Sequence, residues 1–520
     1  MMSLASDRRT QLAAHPELLA GIRRGIEKEG LRVDATGQLA MTPHPVALGS
    51  ALTNAHITTD YSESLLELIT SPIASAQALI TDLTDTHTYV AHRNPAEAIW
   101  NQSMPAHLPN EADIPVAWYG TSNTGMLKHV YRVGLAWRYG KVMQCIAGVH
   151  YNFSLPESAW DVLADGSTAQ ERRNTGYMAL IRNFMRHSWL LMYLFGASPA
   201  VSRSFLQKAG FEAQLTKLSP DTYCLPWATS LRMSDLGYKN PNQSELRLCY
   251  NDLDTFTARI YKACTTSSPA YEAIGTHRNG ERIQLNTNTL QIENEYYSSI
   301  RPKQTAGRCE RPNTILHERG IQYIEARCMD IDPWAPAGIT VETARFLDAF
   351  LLCCAVEDSP MFPAPGNCAE SQENFALVAR EGRRPGLELM RNGEPIALKE
   401  WAARALEHIA PYAQLLDETT GDTQHGAALA AQMTKVNQPE ATPSARLLAA
   451  LREEKQEFHD WTLKQSQAHW TALQARELSV QAEAAFDQAV RDSIAEQTQL
   501  EASDTISFED YVARFHAALR

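Results

Sequence analysis

The chain has 520 residues, 44% of them hydrophobic and 21% charged, which is an ordinary globular composition at a length that can bury a sizeable core. Its formal net charge of −13 argues against a broad nucleic-acid-binding surface and against attraction to anionic lipid. The nine cysteines include no Cys-x-x-Cys pair and the first residues contain no long apolar run, so we expect a reduced, cytoplasmic protein without a membrane partner.

The first informative segment carries two carboxylates one residue apart, Glu27 and Glu29. Residues two apart in an extended strand point to the same face, where two like charges repel each other unless a cation lies between them. A solvated strand balanced by Arg23, Arg24 and Lys28 is the plainer interpretation. The pair by itself therefore leaves a metal site and an exposed strand open.

Two further acids follow in apolar surroundings. Asp60 ends the run Ile-Thr-Thr at 57–59, and Glu67 lies among the aliphatic residues of 65–69. A charged residue amid aliphatics is rarely buried unless it is paired or bound to metal. For Glu67 the alternative is a solvated helix face shared with Glu63, but the residues that follow favour a strand. Residues 75–93 then show the spacing of a helix.

The glycine-rich segment at 120–125 has the glycine spacing of a phosphate-binding P-loop. Met126 and Leu127 stand where that motif needs a lysine and a hydroxyl residue, so we exclude a P-loop and expect a turn. Any bound nucleotide would then depend on metal ions and arginines to hold its phosphates.

Residues 139–155 are predicted to form a strand. Its alternation directs His150, Asn152 and Ser154 to one face and Val149, Tyr151 and Phe153 to the core. A single histidine is more often a hydrogen-bonded core residue than a ligand. A polar face shared with Asn152 and Ser154 nevertheless favours a wet cleft, in which neutral imidazole can bind metal.

Later elements complete the predicted α+β core. Capping-box residues near Thr168 predict a helix that runs to about Phe195. Strands are predicted within 285–300 and within 320–327, and the second places Glu325 and Arg327 on one face. The two could form a simple charge pair, or Glu325 could bind metal while the guanidinium of Arg327 binds an anion.

From about residue 375 the composition becomes rich in Ala, Gln, Glu and Leu, which predicts amphipathic helices. We expect residues 1–370 to form the catalytic core and residues 371–520 a helical region packed on it rather than an independent domain. Strands and helices do not alternate as βαβ units, so the fold class is α+β with a mainly antiparallel sheet.

Five acids and one histidine thus lie in strand-like settings. They are Glu27, Glu29, Asp60, Glu67, His150 and Glu325. Hard carboxylate oxygens suit Mg²⁺ or Mn²⁺, ions that usually carry substrate phosphates. The sequence therefore predicts an enzyme that handles phosphate.

Six segments, in order between about residues 20 and 365, resemble the glutamate–cysteine ligases (γ-glutamylcysteine synthetases) of the proteobacterial type. They are RGIEKE at 24–29, ITTDYSESLLE at 57–67, YGTSNTG at 119–125, GVHYNFS at 148–154, ATSLRMSDLGY at 228–238 and YIEAR at 323–327. The resemblance implies a curved antiparallel sheet related to glutamine synthetase. It also implies ATP-dependent ligation of L-cysteine to the γ-carboxylate of L-glutamate, the first step of glutathione synthesis, with ATP as co-substrate and two or three Mg²⁺ ions, or Mn²⁺. We expect a monomer.

The resemblance also assigns roles by position. The metal positions of the family match the six residues gathered above. Arg232 and Arg327 match arginines near glutamate and the transferred phosphoryl group, and Tyr131, Tyr238 and Tyr297 match aromatics around the cysteine pocket. Two alternatives stay open: a related ligase that uses another amine, and a non-catalytic binding protein on the same scaffold. Intact metal positions favour an enzyme.

Overall fold

A computed structural model describes residues 4–209, 214–237, 246, 248–307, 310–363 and 368–520. Within these ranges no helix is long and apolar enough to cross a membrane. The eight cysteines that the ranges contain are buried, and none of them forms a disulfide.

The described residues form helices and strands with the following bounds. The helices are α1 Leu4–Ala14, α2 Pro16–Ala20, α3 Ala76–Arg93, α4 Asn123–Tyr139, α5 Trp160–Leu163, α6 Ala169–Phe195, α7 Arg203–Ala209, α8 Leu253–Thr265, α9 Pro269–Ile274, α10 Pro312–Arg319, α11 Val341–Val356, α12 Ala369–Glu381, α13 Leu398–Thr420, α14 Gln424–Asn437, α15 Pro443–Glu453, α16 Phe458–Ala475, α17 Val480–Ser503 and α18 Phe508–Ala517. The strands are β1 Arg23–Val33, β2 Ile57–Thr59, β3 Leu65–Ile69, β4 Ala98–Ile99, β5 Val149–Ser154, β6 Ala200–Ser202, β7 Thr216–Lys217, β8 Thr222–Cys224, β9 His277–Arg278, β10 Glu281–Arg282, β11 Ile300–Lys303, β12 Tyr323–Met329, β13 Glu388–Arg391 and β14 Glu394–Ala397.

A seven-stranded sheet forms the centre of the fold, in the order β11-β12-β5-β1-β3-β2 with β4 beside β1. Every strand pair in this sheet is antiparallel. Strand β1 is the longest, with 11 residues, and it pairs with β3 on one edge and with β5 on the other. The predicted α+β class and antiparallel sheet are confirmed.

One face of the sheet is covered by helices. Val149, Tyr151 and Phe153 point to this side and are fully buried, as their alternation predicted. The Tyr151 hydroxyl donates to the Asp348 carboxylate of α11 over 2.8 Å, and the Arg24 Nε donates to the same carboxylate over 2.8 Å. This buried ion pair joins β1 and β5 to α11, so the opposite face of the sheet is left to form a site.

Capping chemistry sets the start of the long helix α6. Thr168 accepts from the backbone N–H of Glu171, and Glu171 accepts in return from the backbone of Thr168. Together they form the predicted capping box, and the helix ends at Phe195 as expected. The predicted helix at 75–93 is confirmed as α3, with the Ser75 hydroxyl as its cap.

Two strand predictions were wrong in part. Residues 139–148 are not a strand, because α4 continues to Tyr139 and is capped by Gly140, whose φ of +78° favours glycine. Residues 285–299 form loops and a 3₁₀ turn, Glu293–Glu295, and the strand begins at Ile300. Buried polar residues of this segment, such as Gln291 and Glu295, form hydrogen bonds with α4 and do not line a strand.

The last third is helical apart from one hairpin, β13–β14. Helices α13 and α14 pack on each other and on α11, while α16 and α17 pack on α3. The division at residue 370 stays a prediction.

Candidate active site

Strand register brings the predicted metal ligands to one face of the sheet. Glu27 lies opposite His150 across β1 and β5, and Glu29 lies opposite Glu67 across β1 and β3. Glu325 lies opposite Asn152 across β12 and β5. Partners in an antiparallel pair point to the same side, so residues from four strands share this face. Asp60 follows β2 directly.

Glu27, His150 and Glu325 form the tightest group. The His150 Nδ1 atom is 3.4 Å from Glu27 Oε2 and 3.5 Å from Glu325 Oε1. One ligand atom from each residue lies within 4.8 Å of the others. On the other side of the ring, His150 Nε2 is 3.7 Å from Glu29 Oε1. The imidazole therefore stands between carboxylates from β1 and β12.

The arrangement raises the pKa values of Glu29 and Glu67. Burial and the carboxylates of Glu27, Asp60 and Glu29 raise the pKa of Glu67 well above its ordinary value. Burial, opposed by His150 and reinforced by Asp60, likewise raises the pKa of Glu29. Like charges that are buried together favour the neutral form unless a cation compensates them.

The donor set fits divalent cations that prefer oxygen. It consists of five carboxylates and one imidazole, and the amide oxygen of Asn152, next to Glu27, is buried without a hydrogen-bond partner among the described residues. Carboxylates and amide oxygens are the ligands that Mg²⁺ and Mn²⁺ take in proteins.

Another cluster of potential ligands has a structural explanation. The Asp417 carboxylate accepts from the backbone N–H groups of His425 and Gly426 at the start of α14, and from the His425 ring. These bonds cap the start of a helix, which accounts for the placement of both residues. By contrast, the face around Glu27 borders a cavity.

Glu325 has a different electrostatic setting from Glu67. Although burial alone would raise it, Arg327, Lys303 and His150 hold the pKa of Glu325 well below its ordinary value. The Arg327 Nη1 atom donates to Glu325 Oε1 over 2.7 Å, and Lys303 Nζ is 3.2 Å from Glu325 Oε2. Positively charged side chains thus lie beside the carboxylates at the β12 side of the face.

Arg232 is held by backbone atoms of the sheet. Its guanidinium donates to the Arg327 carbonyl over 2.9 Å and lies 3.7 Å from the buried Asp330 carboxylate. It lies against Gly148, where a Cβ atom would collide with the guanidinium. Glycine at this position is therefore required by the placement of Arg232.

A cavity of about 250 Å³ opens beside the carboxylate face. Seven of the residues that the sequence assigned to the site line it, and they are Glu29, Asp60, Tyr131, His150, Arg232, Tyr297 and Arg327. Glu27, Glu67 and Glu325 share the adjoining sheet face. Tyr238 lies outside the described residues.

The aromatic wall of the cavity comes from two separate segments. Tyr131 projects from α4, and Tyr297 lies just after the 3₁₀ turn Glu293–Glu295. The Tyr297 hydroxyl donates to Gln144 over 3.1 Å, and Gln144 also lines the cavity. The wall therefore combines rings with an amide.

Sequence reasoning missed several cavity residues. They include Tyr61, Arg132, Gln144, Met185, Ser188, Met233, Tyr250, Asn294, Tyr296, Ser371, Gln372 and Phe375. Tyr61 and Arg132 adjoin assigned residues, so their neighbours were the available signal. Ser371, Gln372 and Phe375 lie on α12, where the sequence contains no motif to indicate a contact with the site.

Comparison with known proteins gives consistent matches. The family model described as glutamate–cysteine ligase matches residues 9–378. The chain is 60% identical to the glutamate–cysteine ligase of Bordetella parapertussis over 521 residues, covering 100% of this chain and 98% of the relative. It is 53% identical to that of Azotobacter vinelandii over 529 residues, covering 100% and 99%. The crystal structure of glutamate–cysteine ligase from Francisella tularensis in complex with AMP superposes with a TM-score of 0.89 at 36% identity, covering 96% of this chain and 98% of that one.

Proposed function

The chain belongs to the glutamate–cysteine ligase family, and from this premise we propose how its sheet face and cavity divide the work of the reaction. The enzyme is an ATP-dependent ligase that joins L-cysteine to the γ-carboxylate of L-glutamate, the first step of glutathione synthesis. The observation that carries the proposal is the set of six metal-ligand types, five on one sheet face and Asp60 directly after β2, beside a cavity whose lining includes Arg232 and Arg327.

The chemistry has to overcome a poor leaving group. A free carboxylate would need to expel oxide when an amine attacks it. Transfer of the γ-phosphoryl group of ATP to the glutamate γ-carboxylate gives a γ-glutamyl phosphate and ADP. The cysteine amine then attacks the acyl carbon, the amide bond forms, and phosphate leaves with the carboxylate oxygen. No side chain needs to act as a covalent nucleophile, so positioning and electrostatics supply most of the rate.

We assign the metal-binding role to Glu27, Glu29, Asp60, Glu67, His150 and Glu325. When bound there, two or three Mg²⁺ ions, or Mn²⁺, would supply positive charge against the phosphates of ATP. The raised pKa of Glu67 and of Glu29 supports this assignment, because a bound cation would offset both the burial and the carboxylate repulsion that raise these pKa values.

We assign two arginines to stabilise the charge on the transferred phosphoryl group. Arg327 reaches the cavity while its Nη1 atom holds Glu325, so its remaining donors are available to substrate oxygens. Arg232 is fixed by the carbonyls of Arg327 and Met329, which keeps the guanidinium in one orientation. A planar guanidinium matches carboxylate and phosphate oxygens with two parallel hydrogen bonds.

The aromatic wall is assigned to the acceptor amino acid. Tyr131 and Tyr297 line the cavity from two segments, and Tyr238 is assigned with them by its position in the sequence motif. Cysteine is small, so rings that close the pocket around its side chain would exclude water and longer acceptors. The monomeric state and the cytoplasm as compartment remain predictions.

The proposal is tested by following ADP release with Mg²⁺, ATP and glutamate while the acceptor is varied among cysteine, 2-aminobutyrate, glycine and ammonia. We expect the fastest release with cysteine, and γ-glutamylcysteine by mass. Glutamate labelled with ¹⁸O in its γ-carboxylate should yield phosphate that carries one ¹⁸O atom. Unlabelled phosphate would contradict the acyl phosphate, and faster release with another amine would contradict the cysteine pocket.

A further inference from the structure

The last 20 residues of the chain lie against the segments that form the aromatic wall. We call residues 501–520, which include α18, the C-terminal clasp. None of its residues lines the cavity. Its contacts are made with the start of α4, which carries Tyr131, with the segment 277–293, which precedes Tyr297 in the chain, and with the residues at and before α10.

The clasp first holds the start of α4. The Thr121 N–H donates to the Glu501 carboxylate over 2.8 Å, and the Asn123 N–H donates to Asp504 over 2.5 Å. Gly120 has a φ of +81°, and a Cβ atom there would collide with the side chains of Gln497 and Glu501. The loop whose glycine spacing resembles a P-loop therefore presents its N–H groups to carboxylates of this chain rather than to a phosphate.

A hydrophobic seam continues this contact along α4. Leu127 and Val130 of α4 pack with Leu285 and with Val512 of α18, which is 2% exposed. Tyr131 packs against the same cluster, on the side of α4 next to the seam. The position of Tyr131 is thus coupled to the packing of α18.

The clasp also holds the segment that precedes Tyr297. Arg311 lies 4.4 Å from the centre of the Phe515 ring, donates to the Phe515 carbonyl over 3.2 Å, and forms an ion pair of 2.8 Å with the buried Glu293. Glu293 begins the 3₁₀ turn that leads to Tyr297. Further along, Arg282 pairs with Glu509 over 2.5 Å.

The two segments are joined to each other beneath the clasp. Arg138 of α4 forms a fully buried ion pair of 2.9 Å with Glu295, and Gln291 Nε2 donates to the Tyr131 carbonyl over 3.2 Å. A Cβ atom at Gly134 would collide with the side chain of Gln291, so α4 and this segment touch closely. Their spacing is therefore set by this network on one side and by α18 on the other.

We propose that the C-terminal clasp positions Tyr131 and Tyr297, and so determines how tightly the ligase holds its acceptor amino acid. The proposal rests on the assignment of the acceptor pocket to these tyrosines. The clasp residues are positioning residues, because they act through α4 and the 3₁₀ turn without touching the cavity. Metal ligands on the sheet lie outside their contacts, so binding of ATP should depend on them far less.

A matched pair of charge insertions tests this in the full-length protein. Val512→Asp places a charge in the buried seam, whereas Ala513→Asp places the same charge on the exposed side of α18. A shift of about 1 Å at an active site can cost about 10²-fold. We expect Val512→Asp to raise the KM for cysteine at least about tenfold and the KM for ATP less than about twofold. Ala513→Asp should change neither.

The readout is the ratio of the two KM changes, because Arg132 of the same helix contacts the Asp60 carbonyl and kcat can fall as well. If Val512→Asp does not fold, Val512→Ala and Tyr511→Phe, which loses its 3.0 Å hydrogen bond to Thr124, carry the test with smaller rises of the same kind. Faster hydrogen exchange at 123–131 should accompany them, and Val512→Ile should restore the wild-type ratio. Equal changes in both KM values, or no change, would overturn the proposal. The wild type is assayed alongside the variants. If it forms γ-glutamylcysteine while the variants leave the KM ratio unchanged, the clasp proposal fails and the ligase assignment stands.

Discussion

Glu27 and His150 lie directly opposite each other across β1 and β5, with Glu27 Oε2 3.4 Å from His150 Nδ1, although 123 residues separate them in the chain. Glu325 reaches the same imidazole nitrogen from a third strand, at 3.5 Å. Sheet register, rather than spacing along the chain, therefore assembles the candidate metal site.

Glu27→Gln and Glu325→Gln each remove a charged ligand and keep the shape of the side chain. Loss of an outer partner of a metal site costs about 10–100-fold, so loss of a direct ligand should lower kcat at least about 100-fold. Steady-state kinetics in saturating Mg²⁺ measure this, with the exposed Glu281→Gln as control. Near-wild-type turnover of either variant would disprove its assignment.

Arg327→Lys replaces a planar fork with a point charge. The lysine can still neutralise Glu325, but it cannot hold two substrate oxygens in parallel. We expect a marked fall in kcat with little change in thermal stability. An unchanged rate would show that Arg327 is only the ion-pair partner of Glu325.

Gly148→Ala should displace Arg232, because the added methyl group would occupy the place of the guanidinium. We expect kcat/KM to fall about 10²-fold, the effect of a shift of about 1 Å at a reacting centre. Gly25→Ala is the control in the same sheet, since its Cβ would meet Asn152 at an ordinary 3.5 Å. Equal activity of the two variants would contradict the role given to Gly148.

Asp348→Asn should destabilise the fold, because the buried charge of Arg24 would lose its carboxylate partner. Breaking a buried pair costs about 3–5 kcal/mol, whereas the exposed pair Arg8–Asp358 predicts at most about 1 kcal/mol for Asp358→Asn. Urea unfolding measures both. A loss for Asp348→Asn no larger than for the control would show that the buried pair contributes little.

The stability difference between the wild type and Asp348→Asn should depend on pH in a defined direction. Although burial alone would raise it, Arg24 and His425 hold the pKa of Asp348 below its ordinary value. The stabilisation is therefore fully present above the unfolded-state pKa of about 3.9 and is lost as the pH falls through the lower folded-state pKa. The difference between wild type and Asp348→Asn should shrink only below about pH 4. A difference that shrinks near neutral pH would identify another group.

Lys435 should make the free energy of unfolding depend on pH in the alkaline range. Burial, opposed by Asp332 and Glu342, lowers the pKa of Lys435 to about 8 from 10.5. Between these values the unfolded chain binds more protons than the folded one, so stability rises with pH. Relative to Lys435→Met, the unfolding free energy of the wild type should rise by up to about 3 kcal/mol across this window. Lys464→Met, at an exposed lysine, is the control, and parallel curves would contradict the prediction.

Much of the fold could be predicted because local signals agree with it. The capping box at Thr168, the alternation around Tyr151 and the aliphatic run around Glu67 each indicate one element, and each is confirmed. The strand predicted within 285–300 is wrong as far as residue 299, because polar residues of this segment form a buried network instead. Glu295 is there to pair with Arg138 of α4, a contact between distant segments that no local pattern reveals.

The site was predictable to the extent that its residues belong to motifs. His150 and Glu325 lie in strands with a polar face, so their chemistry was visible, although their proximity depends on register. Phe375 shows the limit, because nothing near it in the sequence indicates that α12 turns toward the cavity. The contact of Asp504 with Asn123 could not be predicted either, since a carboxylate between two helices is common on any protein surface.

The central claim is that the sheet face around Glu27 and Glu325 binds divalent cations for the nucleotide. Its most direct test counts Mn²⁺ ions bound to the protein with a non-hydrolysable ATP analogue, from the electron paramagnetic resonance of free Mn²⁺. We expect about two or three ions for the wild type, and at least one fewer, or much weaker binding, for Glu325→Gln. Equal number and affinity in the two proteins would contradict the account.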